Sequence, residues 1–218
     1  MVGMTKIKIA DAIFLVRFKT QYQVASTFLR FQEHFESRRF SGHVFTLEEF
    51  MDWYAAEYGN FTYYQDWSGF NIPSTVLAPF YEGSFDPLLK KEQRLLELFK
   101  NERHPFYVMG MSASSSPSEL SHELAHALFF TDPIYKSAVI AAMKRHDTSV
   151  LEKNLHRAGY SKSVLRDEAH SYVLTSTTGL LDNHGTRKLA PLRKELQAIF
   201  SAHGANLLKS AVKRLRMR

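Results

Sequence analysis

The chain of 218 residues contains no cysteine. That absence excludes disulfides, thiolate metal ligands and a cysteine nucleophile, so any metal must be held by histidine and carboxylate. It also suits a reducing compartment. A long apolar run is missing too. The N-terminal Met1-Val2-Gly3-Met4-Thr5-Lys6-Ile7-Lys8 carries basic residues, but residues 10–17 after it are interrupted by charge at both ends and read as a strand. Neither a signal peptide nor a membrane-spanning helix is expected, and the expected location is the cytoplasm unless export uses no cleavable signal. There is no repeat, low-complexity tract or convincing linker. Residues 1–218 therefore read as a single domain with two lobes, 1–104 and 105–218.

Aromatic residues, by contrast, are abundant. With 17 Phe, 10 Tyr and 44% hydrophobic content, the chain can fill a sizeable core without crosslinks. Charge is uneven. From Arg187 onward nine basic residues face Glu195 alone, whereas the rest of the chain carries 19 basic and 21 acidic groups. This basic end could serve a nucleic acid or an acidic partner, with binding that weakens steeply with salt and is lost on truncation before Arg187. No aromatic interleaving or binding motif accompanies it, which favours a solvated helix with cations near its C-terminal end.

Local patterns predict a mixed first half and a helical second half. Residues 12–18 alternate as a strand, and residues 21–36 form an amphipathic helix. Thr46-Leu47-Glu48-Glu49 is a capping box for a helix ending at Gly59. Residues 61–64 are expected as a short strand, 66–73 as a turn-rich aromatic loop, 87–100 as a helix and 105–110 as a strand closed by Gly110. Helices follow from Ser116 onward, which makes the class α+β.

Ser121-His122-Glu123-Leu124-Ala125-His126 contains His-Glu-x-x-His. On a helix, residues four apart lie one turn above the other, so His122 and His126 present two imidazoles to one metal ion. Glu123 can then reach a water at that ion as general base. The helix start is well marked: Ser116 as N-cap, Pro117 at the first position, Glu119 at the third. Leu120, Leu124, Ala127, Leu128 and Phe129 make this helix apolar nearly all round, hence buried. The rival reading is a pair of hydrogen-bonded core histidines. Burying two imidazoles and a carboxylate is costly unless a cation satisfies them, which favours metal.

A catalytic zinc takes three protein ligands plus water. Asp132 is one candidate, six residues after His126, but it is better explained as the cap before Pro133. Glu168 is the stronger one. It falls within the apolar face formed by Val164, Leu165, Ala169, Tyr172 and Val173, where a carboxylate is anomalous, while Asp167 and His170 fall on the polar side. About 200° separates Glu168 from His170 on the wheel, so they cannot share an ion. The other histidines lack partner spacing.

His122-Glu123-Leu124-Ala125-His126 with a downstream helix bearing Glu168 resembles the gluzincin branch of the zincin metallopeptidases. The resemblance covers about residues 105–172 and is carried by His122, Glu123, His126 and Glu168. It implies a zincin-like core with a small mixed or antiparallel sheet, one zinc ion, and hydrolysis of a peptide or protein substrate with Glu123 as general base. Where thermolysin-like members have Asn-Glu-x-x-x-Asp, Asp167 replaces the Asn and Tyr172 the Asp, so the resemblance does not say what holds the second nitrogen of each imidazole. It also implies that residues 106–109 form the strand against which an extended substrate pairs, with Gly110 allowing close approach or ending the strand. An oxyanion would need a second donor besides the metal, and Tyr172, Tyr160 and His156 are the candidates in that order. The alternatives to an enzyme are a metal-binding scaffold that cuts nothing and a partner-binding protein acting through the basic C-terminal helix.

Overall fold

A computed structural model describes residues 3–217. Strand β1 (Met4–Ala10) turns tightly into β2 (Ile13–Phe18), with which it pairs antiparallel. Helix α1 (Gln21–Glu36) starts at a Thr20 cap, and α2 (Leu47–Tyr58) starts at the expected capping box and ends on Gly59 at φ 87°. A short α3 (Tyr63–Asp66) leads to β3 (Gly69–Pro73), and α4 (Ala78–Tyr81) and α5 (Lys90–Phe99) precede β4 (Tyr107–Ser112). From there the chain is helical: α6 (Pro117–Thr131), α7 (Pro133–Met143), α8 (Ser149–Arg157), α9 (Leu165–Thr175), α10 (Asn183–Lys188) and the long α11 (Ala190–Arg216). The class is α+β, with a four-stranded mixed sheet and a mostly helical C-terminal half.

The sheet order is β1-β2-β4-β3, with β2 and β4 parallel and β3 antiparallel to β4. Strand period 2 divides its side chains between two cores. Phe14, Val16, Phe70, Ile72 and Val108 pack with the N-terminal helices on one face. Ile13, Leu15, Tyr107, Met109 and Met111 pack with the C-terminal helices on the other. Both central strands are thus apolar on both faces, which is why their sequence reads as continuous hydrophobic runs. On the N-terminal face, Arg30 of α1 is buried against Glu92 of α5, donating from Nε at 2.8 Å, and donates to the carbonyl of Phe85 at 3.0 Å. That pairing pins α1 across the sheet.

Several local expectations need correcting. Residues 61–64 form no strand; Tyr63 and Tyr64 begin a single helical turn instead. The expected loop of residues 66–73 contains β3, because pairing to β4 satisfies a backbone too rich in Gly, Asn and Pro to suggest a strand. Strand β1 adds a partner that sequence patterning did not separate from β2. Gly110 neither ends β4 nor admits a ligand. It lies mid-strand, where an added Cβ would sit 2.5 Å from Cε2 of Phe28. Strand β4 is flanked on both sides, so residues 106–109 offer no free edge to a substrate.

The basic C-terminal helix is a core element rather than a wholly solvated one. Leu192, Leu196, Phe200, Ala211 and Leu215 are buried against α6, α7 and α9. Arg193 donates to the carbonyls of Val173 (2.8 Å) and Thr175 (3.2 Å), capping the end of α9, and Arg214 donates to the carbonyl of Lys8 (2.6 Å). Truncation before Arg187 would therefore dismantle the core rather than isolate a charge effect. Among the described residues no helix is long and apolar enough to cross a membrane.

The close approach of α1 to β4 gives a direct test. Gly110→Ala is expected to cost about 1–3 kcal/mol through overpacking against Phe28. Thermal unfolding should register this as a melting point lower by several degrees. An unchanged midpoint would mean that Phe28 yields freely.

Candidate metal centre

Helix α6 begins as its sequence specifies. Ser116 accepts from the backbone of Glu119 (3.2 Å), and the Glu119 carboxylate accepts from the backbone of Ser116 (2.7 Å). The same carboxylate also accepts from the Ser68 hydroxyl just before β3, tying the helix start to the sheet edge. From this anchored start α6 runs between the sheet and helices α9 and α11. Leu120 and residues 123–129 are buried.

The structure brings His122, His126 and Glu168 together: one ligand atom from each lies within 4.8 Å of the others. The two Nε2 atoms face each other at 3.2 Å. Two metal–nitrogen bonds of about 2.0–2.1 Å at a tetrahedral angle would separate them by about 3.3 Å. Glu168 offers one oxygen to each ring, Oε2 at 4.0 Å from His122 and Oε1 at 3.7 Å from His126. Its Oε2 is buried and has no hydrogen-bond partner. A buried carboxylate oxygen without a donor, opposite two imidazole nitrogens, is a donor set that could hold a metal ion.

The far sides of both rings are also occupied. His122 Nδ1 lies 3.2 Å from Thr175 Oγ1, whose own proton goes to the Ser171 carbonyl at 2.8 Å. Thr175 must therefore accept from His122 Nδ1–H, which leaves the Nε2 lone pair pointing into the cluster. His126 Nδ1 lies 3.0 Å from Asp167 Oδ1, which is 3.2 Å from His170 Nδ1 as well. These are close contacts rather than aligned hydrogen bonds. Asp167 thus supplies the ring support that the resemblance left undefined. His170 is fully buried, stacked on Phe129, and does not lie on a solvated side as the helical wheel suggests. Helix α9 is covered by α6, α8 and α11 together, so it has no fully polar face. Asp132 lies elsewhere, capping α7 at Ile134 and Tyr135 and pairing with His203 at 2.7 Å.

Burial and charge set the proton affinities before any cation enters. Burial, then the charge on His126, holds His122 well below its ordinary value. Burial would lower His126 also, but the carboxylates of Asp167 and Glu168 outweigh it and raise that ring to about 10. Burial pushes Glu168 up to about 8 and Glu123 to about 7. Asp167 runs the other way: burial alone would raise it, and the positive charge of His126 takes it below the usual carboxylate range. Glu123, Glu168 and the partly exposed Asp167 set three carboxyl groups beside the two imidazoles, and a divalent cation there would favour their ionised forms.

Glu123 faces the same space, and β3 positions it. Strand alternation turns Phe70 and Ile72 into the N-terminal core and Gly69 and Asn71 toward α6. Asn71 Nδ2 donates to Glu123 Oε2 at 2.7 Å, while its Oδ1 accepts from the Tyr107 hydroxyl. A Cβ on Gly69 would lie 2.2 Å from Glu123 Oε1, so glycine there makes room for the carboxylate in its present position. Sequence reasoning missed both residues. The available signal was the Gly-Phe-Asn-Ile-Pro alternation, a short strand pattern bounded by breakers.

These groups open onto a cavity of about 330 Å3 lined by His122, Glu123, Glu168, Tyr160 and Tyr172 among others. The hydroxyls of Tyr172 and Tyr160 lie 3.0 Å apart, and the Tyr172 ring packs edge-on to His122 with centroids 4.7 Å apart. His156 does not line this cavity; its Nδ1 is bonded to the Tyr160 carbonyl at 2.8 Å.

If Asp167 supports His126 as described, Asp167→Asn should weaken binding of a divalent metal such as zinc by about 10–100-fold. Glu168→Ala should abolish stoichiometric binding, whereas Asp132→Ala should leave it intact. Competition with a chromogenic chelator measures all three, and equal affinities for wild type and Glu168→Ala would remove Glu168 from the ligand set. Comparison of the chain with protein-family models, with curated proteins and with solved structures yields no match.

Proposed function

We propose that the protein is a zinc-dependent metallopeptidase with a zincin-like core, built from β3, β4, α6 and α9. The observation that carries this reading is the meeting of His122, His126 and Glu168 at one point, with Glu123 facing the same cavity. A zinc ion held by those three side chains would polarise the scissile carbonyl and acidify a water. Everything else falls to the chain's own residues. Glu123, steadied through Oε2 by Asn71, keeps Oε1 free above Gly69 to take the water's proton and return it to the leaving amine. A raised proton affinity suits a group that must both accept and release a proton near neutral pH. Tyr172 reaches the cavity as a hydroxyl donor for the oxyanion, with Tyr160 bonded to it as the alternative.

Substrate pairing moves from β4 to β3, the free edge of the sheet beside α6. Part of that edge is already taken, since the Asn71 backbone N–H donates to Gln32 Oε1 at 3.0 Å. Backbone pairing is therefore left to Gly69 and the residues just before it.

Metal analysis of purified wild type and Glu123→Gln tests the proposal. Both proteins should hold one zinc, and the variant should cleave a peptide library about 10²–10⁴-fold more slowly. A wild type with no stoichiometric zinc after metal-replete purification refutes the reading. So does a variant that cleaves as fast as wild type.

A further inference from the structure

The cavity extends well past the metal cluster, and its far wall has a distinct chemistry. Trp53, Tyr54, Tyr58, Tyr63 and Trp67 form an aromatic lining, and Glu33 and Glu36 from the last turn of α1 reach into it. Among the described residues no lysine or arginine lines it, although the whole chain carries a net charge of +6. The acidic groups differ in how they are satisfied. Glu119 is held by Ser116 and Ser68, and Asp66 by the hydroxyls of Tyr54 and Thr62, each at 2.6 Å where Asp66 accepts. Glu33 accepts from Tyr63 and Ser37. Glu36 accepts from Gln32, but its Oε2 is buried with no partner.

That orphaned oxygen is not accounted for by the metal, because Glu36 is outside the His122, His126 and Glu168 cluster. Burial pushes both α1 carboxyls up, Glu33 to about 7, and at Glu36 the negative charges of Glu168 and Glu33 add to the rise while His126 opposes it. Trp67, which also lines the cavity, carries a second buried atom without a partner, Nε1. An acceptor lacking a donor, a second carboxyl beside it and a surround of aromatic faces together make the environment that holds a primary ammonium.

We propose that the cavity wall formed by Glu36, Glu33 and the surrounding aromatic rings is a subsite for a primary ammonium group of the substrate. The ammonium would come from either a free N-terminus or a lysine-type side chain. As a statement of substrate class this rests on the metallopeptidase reading. Glu36 Oε2 accepts from the ammonium in a charge-assisted hydrogen bond, Glu33 adds a second negative charge, and the rings exclude water.

Binding rather than turnover tests it, with full-length zinc-loaded protein and three probes in isothermal titration. Norleucinamide carries only the α-ammonium, Nα-acetyl-lysinamide only the side-chain ammonium, and Nα-acetyl-norleucinamide neither. At least one charged probe should bind about tenfold or more tighter than the neutral one, and which one does identifies the source of the ammonium. Glu36→Gln should erase that preference and Glu33→Gln should reduce it, with zinc content and the neutral probe's affinity unchanged. Equal binding of all three probes by wild type overturns the proposal, whatever the variants do. So does a Glu36→Gln protein that keeps the preference. Because binding needs no turnover, a protein that selects the amine yet cuts nothing sinks the peptidase reading and leaves the subsite standing.

Discussion

The physical problem around which this molecule is organised is the burial of opposite charges inside an apolar helix interface. Helix α6 is enclosed by the sheet and by α9 and α11, yet its middle carries two imidazoles and a carboxylate. Such groups are tolerated in a core only when each polar atom is met by another. Here the partners come from distant segments: Thr175 and Asp167 behind the imidazoles, Asn71 behind Glu123, Glu168 opposite the two Nε2 atoms. Every ligand-facing atom is thereby left pointing at one spot. Glu168 Oε2, facing the two Nε2 atoms, is one buried oxygen to which the protein itself supplies no hydrogen bond.

The sheet converts that local demand into geometry. Because β2 and β4 are covered on both faces, they are rigid supports rather than recognition surfaces. The free edge beside α6 belongs to β3, whose alternation sends Phe70 and Ile72 into one core and Gly69 and Asn71 toward Glu123. The same strand thus anchors the N-terminal half and orients Glu123. Gln32 joins these roles to α1, accepting from the Asn71 backbone with its oxygen and donating to Glu36. Glu119, in turn, closes the start of α6 and holds Ser68 at the approach to β3. The cavity is therefore built by elements from both halves of the chain, not by the motif helix alone.

Much of this was legible before any coordinates. The start of α6, its buried character and the His122–His126 pairing follow from capping chemistry and helical periodicity, which are local. Glu168 stood out because a carboxylate broke an apolar stripe. His170 was misplaced by the same wheel, since a wheel assumes one covered face and α9 has neighbours on several sides. Strand β3 was invisible for a different reason: Gly, Asn and Pro lower strand propensity, and only hydrogen bonding to β4 compensates. The roles of Asn71, Gly69 and Thr175 could not be read because each depends on a partner more than fifty residues away or on the path of another element.

The amino-acid sequence by itself determined the α+β class, the capped motif helix and the pairing of His122 with His126 on one face, because these depend on spacing within a few turns of chain. Tertiary structure alone decided which imidazole nitrogen faces inward, that Asp167 rather than solvent supports His126, that β3 forms the edge beside the site, and that Glu36 is left with a bare oxygen in an aromatic cavity. Those outcomes turn on contacts between segments remote in sequence, where burial removes water as the default partner and only the fold determines what replaces it.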